Sequence, residues 1–196
     1  MKKIYASLIC CLLVITTNAQ QEFNKQLSTA RASYASGKLE DSRFAMQQML
    51  QELDMITGKE ILKTLPTKMQ DQNADAAKDN VSGTSGFVGV LIHREYGAKD
   101  KLISLDVISN SPLITSINAV LSLPFIGSSG EYKVIKVGGY KALIQKVTGE
   151  NNKTDYELQL PMHSTLITLK APGYTQEQLV SMANSLPVQQ IAKLVQ

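Results

Sequence analysis

The chain has 196 residues, of which 43% are hydrophobic and 19% are charged, and its formal net charge is +3. This length suits one domain with a small appendage and is too short for a large multidomain enzyme. The ordinary charged fraction argues against a fully disordered chain, and no repeated basic block indicates nucleic-acid binding. We therefore expect a folded protein with no nucleic-acid partner.

The first twenty residues have the three-part layout of a secretory signal peptide. Lys2 and Lys3 form a basic start, residues 4–15 form an uncharged and mostly apolar run, and small residues lie at positions −3 and −1 if cleavage falls after Ala19. The apolar run is shorter than the ~20 residues that a membrane-spanning helix needs. We expect residues 1–19 to be a cleaved signal peptide, the protein to be periplasmic or secreted, and the mature chain to have no stable membrane span.

The two cysteines, Cys10 and Cys11, both lie inside this apolar run. A lipoprotein signal places its cysteine at the cleavage point, and Ser7-Leu8-Ile9-Cys10 comes too early for that pattern. Cleavage after Ala19 would leave 177 residues without cysteine and, because two lysines are removed, a net charge of +1. Thiol catalysis is then excluded, and the stability of the mature chain must come from apolar packing rather than from disulfides.

Residues 20–66 predict a helical hairpin. The first helix carries one apolar face of residues spaced by three and four, namely Phe23, Leu27, Ala30 and Tyr34. Gly37 fits the end of that helix and Gly58 the end of the next. The second helix carries its own stripe of Leu39, Ser42, Met46, Met49, Leu53 and Ile56, which Ala45 and Leu50 widen. Two such stripes joined by a short turn are expected to pack as an antiparallel pair.

The segment from Tyr34 to Ser42, with Gly37 at the turn, resembles one tetratricopeptide helix pair. Stacked repeats of that kind need about three units for stability, and no second copy occurs in this chain. The resemblance therefore predicts a lone hairpin that docks on the main domain rather than a peptide-binding array.

Residues 67–85 are polar, end in Ser82-Gly83-Thr84-Ser85, and are expected to form a linker. From residue 86 the apolar period changes to two, which predicts strands at 87–96, 101–109, 131–137, 140–147, 156–162 and 164–170. One helix is expected to begin at Ser111-Pro112, and another at the capping box Thr175-x-x-Gln178. Residues 86–196 thus predict an α+β fold, with an antiparallel sheet of about six strands packed with two helices.

Several short motifs of the second half carry a wider resemblance. They are Leu65-Pro66, His93-Arg94-Glu95-Tyr96, Asn110-Ser111-Pro112-Leu113, Gly138-Gly139-Tyr140-Lys141-Ala142 and Gly173-Tyr174-Thr175. On these motifs the chain resembles uncharacterised exported proteins of the Bacteroidetes type. Over roughly residues 66–190 its layout is similar to the Mog1/PsbP-like group. The resemblance implies an α+β layout and supplies no active site to transfer.

The sequence contains little that indicates catalysis. His93 and His163 are the two histidines, and the His93-x-Glu95 spacing puts both side chains on one strand face. A metal site would need a third ligand that nothing marks, and no Gly-x-Ser-x-Gly elbow or phosphate-binding loop occurs. We expect no catalytic residues, no metal and no cofactor, with a hydrolase that uses His93 or His163 as one alternative.

Residues 110–130 are 21 residues without a single charge. The candidate binding residues in this stretch are Leu121, Leu123, Phe125 and Ile126. Such a segment either covers the sheet as core or forms an exposed patch for a partner or an apolar ligand. The leading hypothesis is a non-enzymatic exported protein that binds a protein partner in the cell envelope through the hairpin or this segment. The alternative is a carrier of a small apolar ligand or lipid in the crevice between sheet and helix.

Overall fold

The computed structural model describes residues 21–83, 89–98, 101–124, 130–149 and 152–195. The chain divides into two compact units, Met1–Ile56 and Thr57–Gln196. A pair of helices precedes a mostly antiparallel sheet with further helices, so the predicted α+β class is confirmed.

The first unit contains the first helix and most of the second. Helix α1 occupies residues 21–35, and helix α2 (Leu39–Thr64) begins after a turn in which Gly37 adopts a φ of +75°. The helices meet through small residues: the buried Ser42 hydroxyl donates a hydrogen bond to the Ala30 carbonyl at 3.0 Å, and Ala45 is buried as well. Because small side chains form this contact, several larger residues of the predicted stripe remain exposed.

Helix α2 does not end at Gly58 but continues to Thr64. Gly58 is buried, and a Cβ atom at this position would lie 2.8 Å from Val81 Cγ1 and 3.1 Å from Val90 Cγ2. The absence of a side chain therefore allows close packing of the helix against two strands, which is a second established use of glycine beside helix termination.

Strands β1 (Lys68–Met69) and β2 (Gln72–Asn73) form a two-stranded sheet. The main sheet has seven antiparallel strands in the order β3-β4-β5-β9-β8-β7-β6. Their bounds are β3 Asn80–Gly83, β4 Val90–Tyr96, β5 Ile103–Ile108, β6 Tyr132–Val137, β7 Tyr140–Thr148, β8 Thr154–Met162 and β9 Thr165–Lys170. Residues 68–83, expected as a linker, thus contain three short strands. The polar β3 is at the sheet edge, where a strand needs little apolar surface.

The remaining helices are α3 (Ile114–Leu121), α4 (Gln176–Asn184) and α5 (Val188–Leu194). Helix α4 has the predicted capping box, in which Thr175 Oγ1 accepts from the Gln178 amide and Gln178 Oε1 accepts from the Thr175 amide. Ser111 is not the N-cap of α3, a position that Leu113 occupies, although the Ser111 hydroxyl accepts a hydrogen bond from the Leu113 amide at 3.4 Å. The Ser111 amide donates to the Ser164 carbonyl at 3.0 Å.

A buried ion pair connects three segments of the second unit. Arg94 on β4 is 9% exposed, and its Nε and Nη2 atoms donate to the two carboxylate oxygens of Asp79 at 2.8 and 2.6 Å. Its Nη1 atom donates to the Leu65 carbonyl at 3.0 Å, just past the end of α2. This bidentate geometry satisfies a guanidinium that would otherwise be costly to bury.

We expect Asp79→Ala to lower the free energy of unfolding by about 3 kcal/mol or more, because it leaves the buried guanidinium without its carboxylate. Urea denaturation at neutral pH measures this loss. The matched control is Glu60→Ala, which removes a carboxylate that pairs with Lys63 at 2.7 Å on an exposed surface. Exposed pairs contribute little, so the control should change stability only slightly. Equal losses in the two variants would contradict the structural role of the buried pair.

Candidate functional site

Strands β4 and β5 bring three ionisable side chains together on one face of the sheet. His93 Nδ1 lies 2.6 Å from Asp106 Oδ1, and His93 Nε2 lies 3.4 Å from Glu95 Oε1. His93 and Asp106 are direct partners in the β4–β5 register, while Glu95 follows two residues later on the same face. The spacing of His93 and Glu95 predicts this shared face. Asp106 could not be found from the sequence, because its place depends on the strand register.

The environment of His93 favours its charged form. Partial burial disfavours the imidazolium, but the hydrogen bonds and charges of Asp106 and then Glu95 outweigh it, so the pKa of His93 is raised above its usual value. Asp106 orients the ring as a carboxylate does in a catalytic dyad. The Nε2 atom, however, meets the carboxylate of Glu95 rather than a hydroxyl nucleophile. The cluster is therefore built as an ion-pair network and not as an activated nucleophile.

The cluster belongs to a longer row of side chains. His93, Asp106, Thr168, Gln159 and Leu143 are successive partners across five strands, so they share one face of the sheet. Thr168 is only 8% exposed, and Leu143 is covered by α3. One part of this face is thus polar and half-exposed, and the other part is apolar and covered.

The second histidine lies outside this cluster. His163 occupies the turn between β8 and β9 with a φ of +52°, and its Nε2 atom is 3.3 Å from the Tyr140 hydroxyl. The two rings meet edge to face, with centroids 5.9 Å apart. Within the described residues, no group of three His, Cys, Asp or Glu side chains is placed to hold a metal ion.

The predicted binding segment has two different environments. Leu121 is 9% exposed and packs with Ile117, Leu143 and Leu166 beneath α3. Leu123, just beyond the helix, is 55% exposed. Phe125 and Ile126 lie outside the described residues. Leu121 therefore covers the sheet as part of the core, whereas Leu123 is exposed.

Two surface cavities bear on the carrier hypothesis. The cavity beside α3 has a volume of about 230 Å³ and is lined by Asn118, Leu121, Ser122, Lys141 and Pro161. Another, of about 470 Å³, is lined by Lys153, Thr154, Asp155, Tyr156 and the Gly173-Tyr174-Thr175 turn. The first is smaller than the ~300–1,000 Å³ of most ligand sites and includes Lys141. The second is within that range, but its lining places the charged residues Lys153 and Asp155 beside Tyr156 and Tyr174. Neither of these two cavities is a wholly uncharged site for an apolar ligand.

Helix α2 exposes a row of large apolar side chains, here named the α2 stripe. It consists of Leu39, Met46, Leu50 and Leu53, which are 64%, 50%, 50% and 46% exposed. Their spacings of seven, four and three put them on one side of the helix. Sequence periodicity predicts that Leu39, Ser42, Met46 and Leu53 pack against α1, with Ala45 and Leu50 widening the same face, but only Ser42 and Ala45 of these six are buried.

Comparison with protein-family models, with curated proteins and with solved structures finds no match to this chain. The resemblances to exported bacterial proteins, to the Mog1/PsbP-like group and to a tetratricopeptide pair therefore stay predictions. No helix in the described part of the chain is long and apolar enough to cross a membrane.

We expect the stabilising effect of His93 to depend on pH. A pKa that is raised in the folded state gives a contribution that is complete below the unfolded pKa of about 6.5 and is lost as pH rises through the folded pKa. His93→Gln should therefore reduce the free energy of unfolding more at about pH 5.5 than at about pH 8.5. Denaturant titrations of both proteins at the two pH values measure the difference. Asp106→Asn retains the histidine but removes its strongest partner. The pH dependence that His93 gives to the free energy of unfolding should therefore be smaller in this variant. A pH-independent effect of His93→Gln would refute the assignment.

Proposed function

We propose that this protein is an exported, non-enzymatic binding protein of the cell envelope, and that its helical hairpin binds an amphipathic helix of a protein partner. The observation that carries the proposal is the α2 stripe, four large apolar side chains that are each about half-exposed on one side of one helix. Isolated exposed apolar residues are common on soluble proteins, but contiguous exposed rows mark interaction surfaces.

The spacing of the stripe supports a helical partner. Residues separated by seven, four and three positions form the seam through which one helix packs along another. Covering the exposed halves of four such side chains would contribute on the order of 3–5 kcal/mol. That contribution is modest beside the cost of association, so a reversible partner fits better than a permanent subunit.

The enzymatic alternative has weaker support. The His93 ring is oriented by Asp106, but its other nitrogen faces Glu95. The two cavities described above do not include any of these three residues. A substrate held at the cluster would therefore lie on an open sheet face, where water is difficult to exclude.

Export is tested on the protein purified from its producing cell. Mass spectrometry should find a chain that begins at Gln20, because the residues before it have the features of a cleavable signal. Ala19→Arg places a large charged residue at the −1 position and should leave the chain uncleaved. Asn18→Gln changes the unconstrained −2 position and should be processed normally. A wild-type chain that retains Met1 to Ala19 would contradict the prediction.

Partner binding is tested with a photo-crosslinking amino acid placed at Leu50, in the centre of the stripe, in the producing cell. We expect one discrete protein adduct, since covering the stripe removes apolar surface from water. The matched control carries the same amino acid at Gln51, which is exposed on another side of α2. That position should give little or no adduct.

A second variant establishes that the adduct depends on the stripe. Met46→Asp, combined with the crosslinker at Leu50, should remove the adduct while leaving the circular-dichroism spectrum unchanged, because Met46 is half-exposed. Equal adducts at positions 50 and 51 would refute the proposal. An adduct with the mass of two copies of this chain would show that the stripe binds a second copy of the chain rather than a different protein.

A further inference from the structure

Helix α3 exposes an uncharged outer surface at one end of the sheet. Its start is held by the hydrogen bond from Ser111 to Ser164 in the β8–β9 turn, and its end packs through Leu121 on Leu143 of β7. The exposed side chains on it are uncharged, namely Thr115, Ser116, Asn118, Ala119 and Ser122. Leu113 and Leu123, at the two ends of the helix, are 51% and 55% exposed.

Two lysines lie beside this helix on the same face of the sheet. Lys136 and Lys141 are direct partners in the β6–β7 register, and both are exposed. They share the α3 face, because Val134 and Leu143 of the same strands pack beneath α3 and alternate residues point the same way. Like charges directly opposite each other in a sheet are destabilising.

Neither lysine forms an ion pair within the described residues. Lys170 on the same face, by contrast, pairs with Glu157 at 3.6 Å. Lys141 lines the cavity at the end of α3, where the negative end of the helix dipole attracts a cation. The helix dipole thus accounts for the position of Lys141. It does not account for that of Lys136, which lies one strand farther away at the sheet edge.

We propose that this α3 surface, formed by Leu113, Leu123, Lys136 and Lys141, docks on an anionic phospholipid membrane. Surfaces that lie at a bilayer interface combine apolar side chains, which enter the headgroup region, with lysines that contact lipid phosphates. The uncharged face of α3 adds no carboxylate that the anionic lipids would repel. An acidic polypeptide or a nucleic acid would use the two lysines but would leave the exposed leucines without a contact.

The test is vesicle co-sedimentation of the chain that begins at Gln20, which contains all the described residues of both units. Vesicles of equimolar phosphatidylcholine and phosphatidylglycerol are compared with vesicles of phosphatidylcholine alone. We expect binding to the anionic vesicles only, and a decrease as salt is added, because screening weakens exposed charge interactions.

Matched variants locate the binding surface. Lys136→Glu with Lys141→Glu should weaken partitioning to anionic vesicles at least about tenfold, since each lysine near such a surface is worth roughly a fivefold change. Lys133→Glu with Lys146→Glu makes the same charge change on the same two strands but on the opposite face, and should bind far better than the first variant. Leu123→Ser should also weaken binding, and circular dichroism checks that each variant is folded.

The proposal is overturned if wild-type protein does not sediment with anionic vesicles, or if the two double variants lose binding equally. It is also overturned if Leu123→Ser binds as well as wild type, since the surface would then act through charge alone. Binding to an acidic polypeptide such as polyglutamate, in the absence of any vesicle binding, would assign the lysines to a different partner class and refute membrane docking.

Discussion

The ion pair between Arg94 and Asp79 joins the polar segment between α2 and β3 to strand β4 of the main sheet. A buried guanidinium is tolerated only when its donors are satisfied, and here both carboxylate oxygens and the Leu65 carbonyl accept from it. These partners come from the segment after α2 and from the turn before β3. Further backbone hydrogen bonds support the same arrangement, including Asp75 to Glu95 and Gly97 to Asn73. Residues 67–79 have few apolar side chains to bury, so the ion pair and these hydrogen bonds hold the segment in place.

The regular part of the fold could be read from residue patterns, because alternation and capping are local signals. The strands from β4 to β9 and the Thr175 capping box lie where those patterns predict them. The strands in residues 68–83 could not be predicted, since this polar segment has no apolar alternation and the ion pair that joins it to β4 links residues 15 apart in sequence. Gly58 shows a second limit: the same residue type ends one helix and permits close packing of another, and only the neighbours Val81 and Val90 distinguish the two uses.

The candidate surfaces were predictable to different degrees. The absence of charge around α3 is visible in the sequence, and it directs attention to Leu123, which is exposed. The lysines that complete the α3 surface are far from it in sequence, and only the β6–β7 register places them side by side. The α2 stripe was misassigned for an opposite reason. Periodicity identifies an apolar face, but it cannot tell whether large or small residues form the contact between two helices.

The two edges of the seven-stranded sheet have a consequence for the behaviour of the protein at high concentration. An exposed strand edge offers unpaired backbone groups to another chain and is a common start of aggregation. One edge, β3, is only four residues long and ends in an exposed glycine. The other, β6, carries Lys133 on one face and Lys136 on the other, so an approaching strand would meet positive charge from either side. The fold can thus retain an open sheet without inviting the edge-to-edge assembly that leads to fibres.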